Sequence, residues 1–305
     1  MYNIDKLFEA VAARGHVCVG LDTAVEYIPE KERRSSSSPS DAVLAYNKAI
    51  VDATIDVAAC FKVQIAYYEE MGLRGLEAFA RTLRYIRERG ALVISDVKRG
   101  DIADTASRYA RAHFEGDFET DFVTLTPYLG MDSIEPWIEW ADKKGKGAFV
   151  LVRTSNKGRQ DFECLKTEGG KHVYNAVGEK LLRLASSHMG KYGYGAFGAV
   201  IGIDSQSEEE RKEAIAIRAE GSSLFFLIPG YGAQGGAASD VALLLREGNG
   251  GVVNASRSIL RAWQNTGNIN AGIITASDAD NDSAAQAARQ AVIEMRDAIL
   301  KARNS

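Results

Sequence analysis

The stretch ALVISDVKRGD, residues 91–101, joins an apolar run to a dense group of charges. The four apolar residues at its start are typical of a buried β-strand. Because side chains two apart on a strand point to the same side, Asp96 and Lys98 are expected to face one side together. Asp101 follows three residues later, where the strand should have ended. Such charges are costly there unless they pair, so the stretch predicts either an ordinary ion pair at a solvated strand end or a charged functional site.

Short apolar runs of this kind recur along the chain and alternate with longer helical patterns. Most are continuously apolar, as expected of parallel strands that are covered on both faces. Eight alternations of strand and helix favour a (β/α)8 TIM barrel of the α/β class over an open doubly wound sheet. The predicted strands are Val17–Asp22, Ala58–Gln64, Ala91–Val97, Phe122–Thr126, Ala148–Arg153, Phe197–Ile203, Leu224–Pro229 and Gly251–Asn254.

The predicted helices have recognisable boundaries. Ser38-Pro39-Ser40-Asp41 should cap one helix, and the capping box at residues 207–210 should open another that ends near Gly221. The last helix is Ala-rich and amphipathic, and we expect it to run from about Ser283 to Ala302.

Two polar segments interrupt this alternation. Residues 33–40 predict a serine-rich loop, and residues 264–282 predict a long Asn/Asp/Gly-rich connection. Since we find no internal repeat and no domain boundary, both are interpreted as insertions in a single domain that spans residues 1–305.

Composition narrows the classes of function. The 305 residues are 46% hydrophobic and 26% charged, with a formal net charge of −4, which is ordinary for a soluble globular protein. The near-neutral balance without a basic block argues against nucleic acid as a partner. No apolar run approaches the ~20 residues of a membrane span, and residues 1–8 show no signal-peptide core.

The cysteines and histidines indicate a reducing compartment and no metal. Cys18, Cys60 and Cys164 form no C-x-x-C pair, and the first two lie in predicted strands where buried, inert thiols are expected. A cytoplasmic location is therefore expected. The four histidines are scattered without the spacing of metal ligands, so no metal site is expected.

Polar residues follow the predicted strands where a barrel enzyme builds its active site, at the C-terminal strand ends. The first strand ends in Asp22, the fifth runs into Arg153-Thr154-Ser155-Asn156, and the eighth runs into Asn254-Ala255-Ser256-Arg257. Lys62 lies between apolar neighbours on the second strand. Because a closed barrel has no sheet edge at which it could reach solvent, an inward, ion-paired position is expected for Lys62.

The segment after the seventh strand, Gly230-x-Gly232-x-x-Gly235, matches the dinucleotide-binding fingerprint. That fingerprint belongs to a first βαβ unit with an acidic residue at the end of the next strand, whereas here the next strand ends in Asn254. A phosphate site fits better, because barrel enzymes often bind phosphate with the loops after strands seven and eight. Glycine backbone N–H groups can approach the anion, and Arg257 can supply a bidentate guanidinium.

Taken together, these motifs resemble the orotidine 5′-phosphate decarboxylases. The resemblance rests on Asp96-x-Lys98-x-x-Asp101, on Phe61-Lys62-Val63-Gln64, on Pro229-Gly230-Tyr231-Gly232-Ala233-Gln234 and on the Arg257 loop, in the family's order from about Val17 to Arg257. It is closest to the longer bacterial and archaeal subgroup, in which Thr-Pro-Tyr, Arg-Thr-Ser-Asn and Asn-Ala-Ser-Arg recur. The resemblance implies a (β/α)8 homodimer without a cofactor that catalyses the last step of UMP synthesis.

Four residues match the family's catalytic positions. The resemblance implies that Lys98 donates the proton to pyrimidine C6 and that Asp96 lies beside the substrate carboxylate. It implies that Lys62 links that carboxylate to the ribose. Asp101 matches a group that the family delivers across the dimer interface.

Five further residues match positions that bind the substrate. The resemblance implies that Thr105 also crosses the dimer interface and that Asp22 binds a ribose hydroxyl. It implies that Ser155 contacts the pyrimidine ring, and that Gln234 and Arg257 contact the phosphate.

Two other functions remain open from the sequence. A phosphosugar enzyme of the same superfamily, such as a β-keto-acid decarboxylase or a hexulose-phosphate synthase, would share a similar D-x-K-x-x-D strand but would bind magnesium through an extra acidic ligand. A catalytically dead barrel used as a binding scaffold would have lost some of the charged strand-end groups. The extended Lys-Arg-Gly-Asp-Ile sequence and Lys62 favour the nucleotide enzyme.

Overall fold

A computed structural model describes residues 1–202, 212, 213, 215, 216, 218, 223–230, 238–245, 248–265 and 279–304. Its parallel strands close into a barrel in which each strand pairs with the next and the last pairs with the first. The (β/α)8 fold and all eight predicted strands are therefore confirmed. The strands are β1 (Val17–Gly20), β2 (Cys60–Gln64), β3 (Val93–Arg99), β4 (Phe122–Leu125), β5 (Gly147–Arg153), β6 (Phe197–Ile201), β7 (Phe226–Ile228) and β8 (Gly251–Ala255).

Helices alternate with these strands and cover the barrel. The described α-helices are α1 (Asn3–Arg14), α2 (Glu30–Ser35), α3 (Pro39–Thr54), α4 (Ala66–Glu69), α5 (Gly72–Glu88), α6 (Ala103–Phe114), α7 (Ile138–Lys144), α8 (Val173–Ser187), α9 (Ala238–Leu244), α10 (Arg257–Leu260) and α11 (Asn281–Arg303). None of them is both long and apolar enough to cross a membrane.

The barrel interior is apolar at its N-terminal end. Cys18, Cys60 and Phe122 belong to one buried cluster, and Ile4 and Leu7 of α1 join it from below. Helix α1 thus closes this end of the barrel. Alternate strand residues point outward and pack against the helices in a second buried cluster. At the C-terminal end of the barrel, inward-pointing polar side chains can meet a ligand.

The predicted cap of α3 is confirmed, but the prediction of a continuous loop at residues 33–40 is wrong. The Ser38 side chain accepts a hydrogen bond from the Asp41 N–H at 3.2 Å, with Pro39 as the first helical residue. Residues 33–35 form the end of α2, which an ion pair between Arg34 and Glu30 supports. Only residues 36–38 separate the two helices.

The last predicted helix is confirmed as α11. Asp280 caps it, because its side chain accepts a hydrogen bond from the Ser283 N–H at 2.9 Å. Most of the predicted insertion at residues 264–282 lies outside the described residues, as do the capping box at 207–210 and Gly221.

Candidate active site

A cavity of about 450 Å3 opens at the C-terminal end of the barrel. Its wall comes from the ends of six strands and the loops that follow them, with one further side chain each from β4 and β6. The residues that line it are Asp22, Tyr27, Lys62, Tyr67, Asp96, Lys98, Thr124, Leu151, Thr154, Ser155, Asn156, Val200, Leu227, Pro229, Gly230, Asn254, Ala255, Ser256 and Arg257.

Lys62 points into the barrel from β2, as predicted. Only 4% of the residue is exposed, and its Nζ donates hydrogen bonds to Asp22 Oδ1 at 2.8 Å and to Asp96 Oδ2 at 3.1 Å. Burial disfavours the charged amine, but the two carboxylates outweigh that cost and raise the pKa of Lys62 above its usual value. Lys62 is therefore a permanent buried cation.

Asp96 is the centre of the site, because its carboxylate accepts four hydrogen bonds. Oδ2 accepts from Lys62 Nζ at 3.1 Å and from Gln64 Nε2 at 2.9 Å. Oδ1 accepts from Lys98 Nζ at 2.7 Å and from Thr124 Oγ1 at 2.9 Å. Burial opposes the charge, yet Lys62 and Lys98 lower the pKa of Asp96 to about 2, so it is a carboxylate throughout the physiological range.

Lys98 faces the cavity with 48% of its side chain exposed. It lies on the same side as Asp96, as the alternation of the strand predicts, but its backbone is not that of a regular strand. Its φ of +44° lies in the left-handed region, which costs a lysine about 1–3 kcal/mol. Strain of this kind persists only where surrounding contacts fix the backbone.

Asp22 links this network to the eighth strand. Its Oδ1 accepts from Lys62, and its Oδ2 accepts from Ser256 Oγ at 2.9 Å. Asn254 Nδ2 donates in turn to Ser256 Oγ at 3.4 Å. A chain of polar contacts therefore runs across the cavity floor from β8 to β3.

Ser155 and Arg257 line the cavity from other sides, after β5 and at the start of α10. The Thr154 beside Ser155 is fixed by Glu163, which accepts from the Thr154 N–H at 2.8 Å and from its hydroxyl at 2.7 Å. Gln234 lies outside the described residues, and so do Gly232 and Gly235 of the predicted phosphate loop. Gly230, the first glycine of that loop, lines the cavity with a φ of +90°.

Asp101 and Thr105 do not join the other predicted site residues within one chain. Neither lines the cavity, and Asp101 Oδ1 accepts from the Ile102 N–H at 2.9 Å. Their i, i+4 spacing in the sequence predicts that they share one helix face, and this prediction is wrong. Helix α6 begins at Ala103 after an extended Ile102, so Asp101 precedes the helix while Thr105 lies exposed in its first turn.

Sequence reasoning assigned no role to four members of this polar network, Gln64, Thr124, Asn254 and Ser256. Gln64 follows Lys62 by two positions, so the alternation that placed Lys62 inward also applies to it. Thr124 and Ser256 each stand in a segment already assigned to a strand or its end. Their hydrogen bonds depend on how neighbouring strands are staggered, which the sequence does not show. Within the described residues, no group of three or more His, Cys, Asp or Glu side chains could hold a metal ion.

Comparison with known proteins identifies the family of the chain. Residues 15–270 match the model of the orotidine 5′-phosphate decarboxylase / HUMPS family. The chain belongs to that family. It is 55% identical over 298 residues to an orotidine 5′-phosphate decarboxylase of Clostridium perfringens, covering 98% of both chains. It is 51% identical over 302 residues to that of Clostridium tetani, covering 99% of both.

Solved structures of the family share the fold. The OMP decarboxylase of Leishmania donovani is 29% identical with a TM-score of 0.74, covering 100% of both chains. The UMP synthase of Leishmania donovani is 30% identical with a TM-score of 0.73, covering 97% of this chain and 57% of that one. These likenesses extend along the barrel as a whole and are not confined to the charged strand ends.

Proposed function

We propose that this enzyme decarboxylates orotidine 5′-phosphate to UMP by a direct mechanism centred on Lys98 and Asp96. The family and the named relatives support the activity, which is the last step of UMP synthesis. The observation that carries the mechanism is the Asp96 carboxylate, held between the ammonium groups of Lys62 and Lys98 at the cavity floor.

The reaction breaks the bond between C6 and the carboxylate carbon, and the electron pair stays on C6 as CO2 leaves. This carbanion lies in the ring plane, with no adjacent carbonyl arranged to delocalise it. Stabilisation must come from fixed charge, which the Lys98 ammonium supplies at the developing anion. The same ammonium then donates its proton to C6 and forms UMP, and solvent restores the proton on Lys98.

Asp96 has two roles in this proposal. It holds the Lys98 ammonium at the cavity floor through the 2.7 Å contact, and it opposes a substrate carboxylate whose charge departs as CO2. Lys62 bridges the site towards the ribose, because its Nζ contacts both Asp96 and Asp22.

Asp22, Ser155 and Arg257 also line the cavity. Asp22 would bind a ribose hydroxyl, Ser155 the pyrimidine ring, and Arg257 the phosphate together with Gln234. The phosphate is remote from the reacting bond, so its binding energy can be used to hold the substrate against the charges at C6.

We also propose a homodimer with shared active sites. Asp101 and Thr105 lie outside their own cavity, as expected of residues that complete the partner's site. The loops after β3, β4 and β5 also expose large apolar side chains, with Ile102 50%, Tyr128 79% and Phe162 61% exposed. The rings of Tyr128 and Phe162 lie 6.2 Å apart. Exposed apolar patches of this kind mark interaction surfaces, and a second copy would cover this one.

A cytoplasmic location is part of the same proposal. Cys18 and Cys60 are free thiols and both are fully buried. They lie directly opposite each other where β1 is hydrogen-bonded to β2. Unbridged neighbouring thiols are typical of proteins kept in a reducing compartment.

The alternative within the family is a magnesium-dependent phosphosugar enzyme. We expect the purified enzyme to convert orotidine 5′-phosphate to UMP at an unchanged rate in excess EDTA, because fixed ammonium groups supply the charge that a metal would otherwise supply. The measurement is the absorbance change of the substrate with and without EDTA. Complete loss of activity in EDTA, restored by magnesium, would instead support the metal-dependent enzyme.

Arg257→Ala should weaken the use of the phosphorylated substrate and barely change turnover of the nucleoside orotidine, because the guanidinium contacts only the anion. The measurement is kcat/KM for both substrates. Arg261→Ala is the matched control, since Arg261 lies four residues on and does not line the cavity. Equal damage to both substrates by Arg257→Ala would mean that Arg257 has a structural role.

Mixing inactive Lys98→Ala with inactive Asp101→Ala should regenerate activity. In a mixed dimer one site carries both substitutions and the other carries neither, so an equal statistical mixture should reach about a quarter of the wild-type activity. The measurement is activity after subunit exchange, with native mass spectrometry to count mixed dimers. If mixed dimers form and stay inactive, Asp101 acts within its own subunit.

A further inference from the structure

The Thr124 side chain on β4 forms hydrogen bonds both to the backbone of β3 and to the Asp96 carboxylate. It is 1% exposed, and its hydroxyl donates to Asp96 Oδ1 at 2.9 Å. The same oxygen accepts from the N–H of Val97 at 3.0 Å and from the N–H of Lys98 at 2.9 Å. A hydroxyl has one donor and two acceptor positions, so all of its hydrogen-bonding capacity is used here.

The backbone of β3 explains why those two N–H groups need a side-chain partner. The pairing of β3 with β4 is regular at Ser95, opposite Val123, and resumes at Arg99, opposite Leu125. Between these two pairs, β3 advances by four residues while β4 advances by two, so β3 contains a bulge. Buried N–H groups at a bulge lose their ladder partners, and the Thr124 hydroxyl takes both of them.

We propose that Thr124 is a positioning residue that fixes the Lys98 ammonium against Asp96. It holds the Lys98 backbone at the left-handed φ of +44°, and it orients the carboxylate that Lys98 contacts. This inference rests on the proposed function, in which Lys98 must meet C6. A displacement of about 1 Å in such a group can lower the rate about a hundredfold.

Two substitutions distinguish the effect of losing the hydroxyl from the effect of changing the shape of the side chain. Thr124→Val keeps the branched shape but leaves both N–H groups and one side of Asp96 without their partner. Thr124→Ser restores the hydroxyl. Because the proposed ribose, ring and phosphate contacts do not pass through Thr124, the loss should fall on kcat and leave KM almost unchanged.

Thr120 supplies a matched control. It is fully buried, lies two residues before β4, and donates through its hydroxyl to Val93 O at 2.9 Å, far from the polar strand ends. Thr120→Val removes a comparable buried hydroxyl, so it measures the cost of such a change to stability alone.

The experiment measures kcat, KM and Tm for the wild type and the three variants. We expect Thr124→Val to lower kcat about tenfold to a hundredfold, with KM and UMP affinity within about threefold of wild type. We expect Thr124→Ser to recover most of kcat, and Thr120→Val to lower Tm without lowering kcat. A wild-type kcat in Thr124→Val, or equal losses in the Ser and Val variants, would overturn the proposal.

A crystal structure of Thr124→Val tests the positioning independently of any activity. The proposal predicts that Lys98 leaves its left-handed φ and that the contact of its Nζ with Asp96 Oδ1 lengthens beyond about 3.5 Å. Unchanged geometry at Lys98 would overturn the proposal even if the wild type decarboxylates its substrate. A wild type without decarboxylase activity would refute the proposed function alone.

Discussion

The structure of the site depends on one buried carboxylate that accepts four hydrogen bonds. Asp96 stays charged although only 7% of the residue is exposed, because each of its carboxylate oxygens accepts two hydrogen bonds. The donors are Lys62, Gln64, Lys98 and Thr124. Without the Asp96 carboxylate, the buried Lys62 ammonium and the half-exposed Lys98 ammonium would repel each other, and a buried ion pair is favourable only when its remaining polar atoms are also satisfied. Removing this carboxylate would leave the buried Lys62 ammonium with Asp22 as its one carboxylate partner among the described residues.

The barrel supplies this arrangement by changing the chemistry of its inward positions along each strand. On β3, Ile94 lies in the apolar cluster that α1 closes, and Asp96 is the next inward residue. On β4 the same step leads from Phe122 to Thr124, and on β2 from Cys60 to Lys62. The lower half of the barrel is therefore a packed core, and the upper half is a preorganised array of charges.

The sequence was sufficient to predict the fold and the groups that carry charge. Continuous apolar runs identified all eight strands, and the absence of edges in a closed barrel placed Lys62 inward. The stagger between strands is a property of the folded chain, so the hydrogen bonds of Thr124 and Gln64 could not be predicted. For Asp101 and Thr105, the i, i+4 spacing predicted one shared helix face, whereas the extended backbone at Ile102 leaves Asp101 outside the helix. At residues 33–35, serine content suggested a loop, but local pairs between Arg34 and Glu30 support helix.

The central claim is that the Lys98 ammonium, held by Asp96, both stabilises the carbanion and protonates it. The most direct measurement is kcat for Lys98→Ala on orotidine 5′-phosphate, with UMP affinity measured on the same preparation to show that the cavity is intact. The account predicts that kcat falls by at least roughly a thousandfold while UMP binding changes far less, because one group supplies both the charge and the proton. Near wild-type turnover in Lys98→Ala would contradict it.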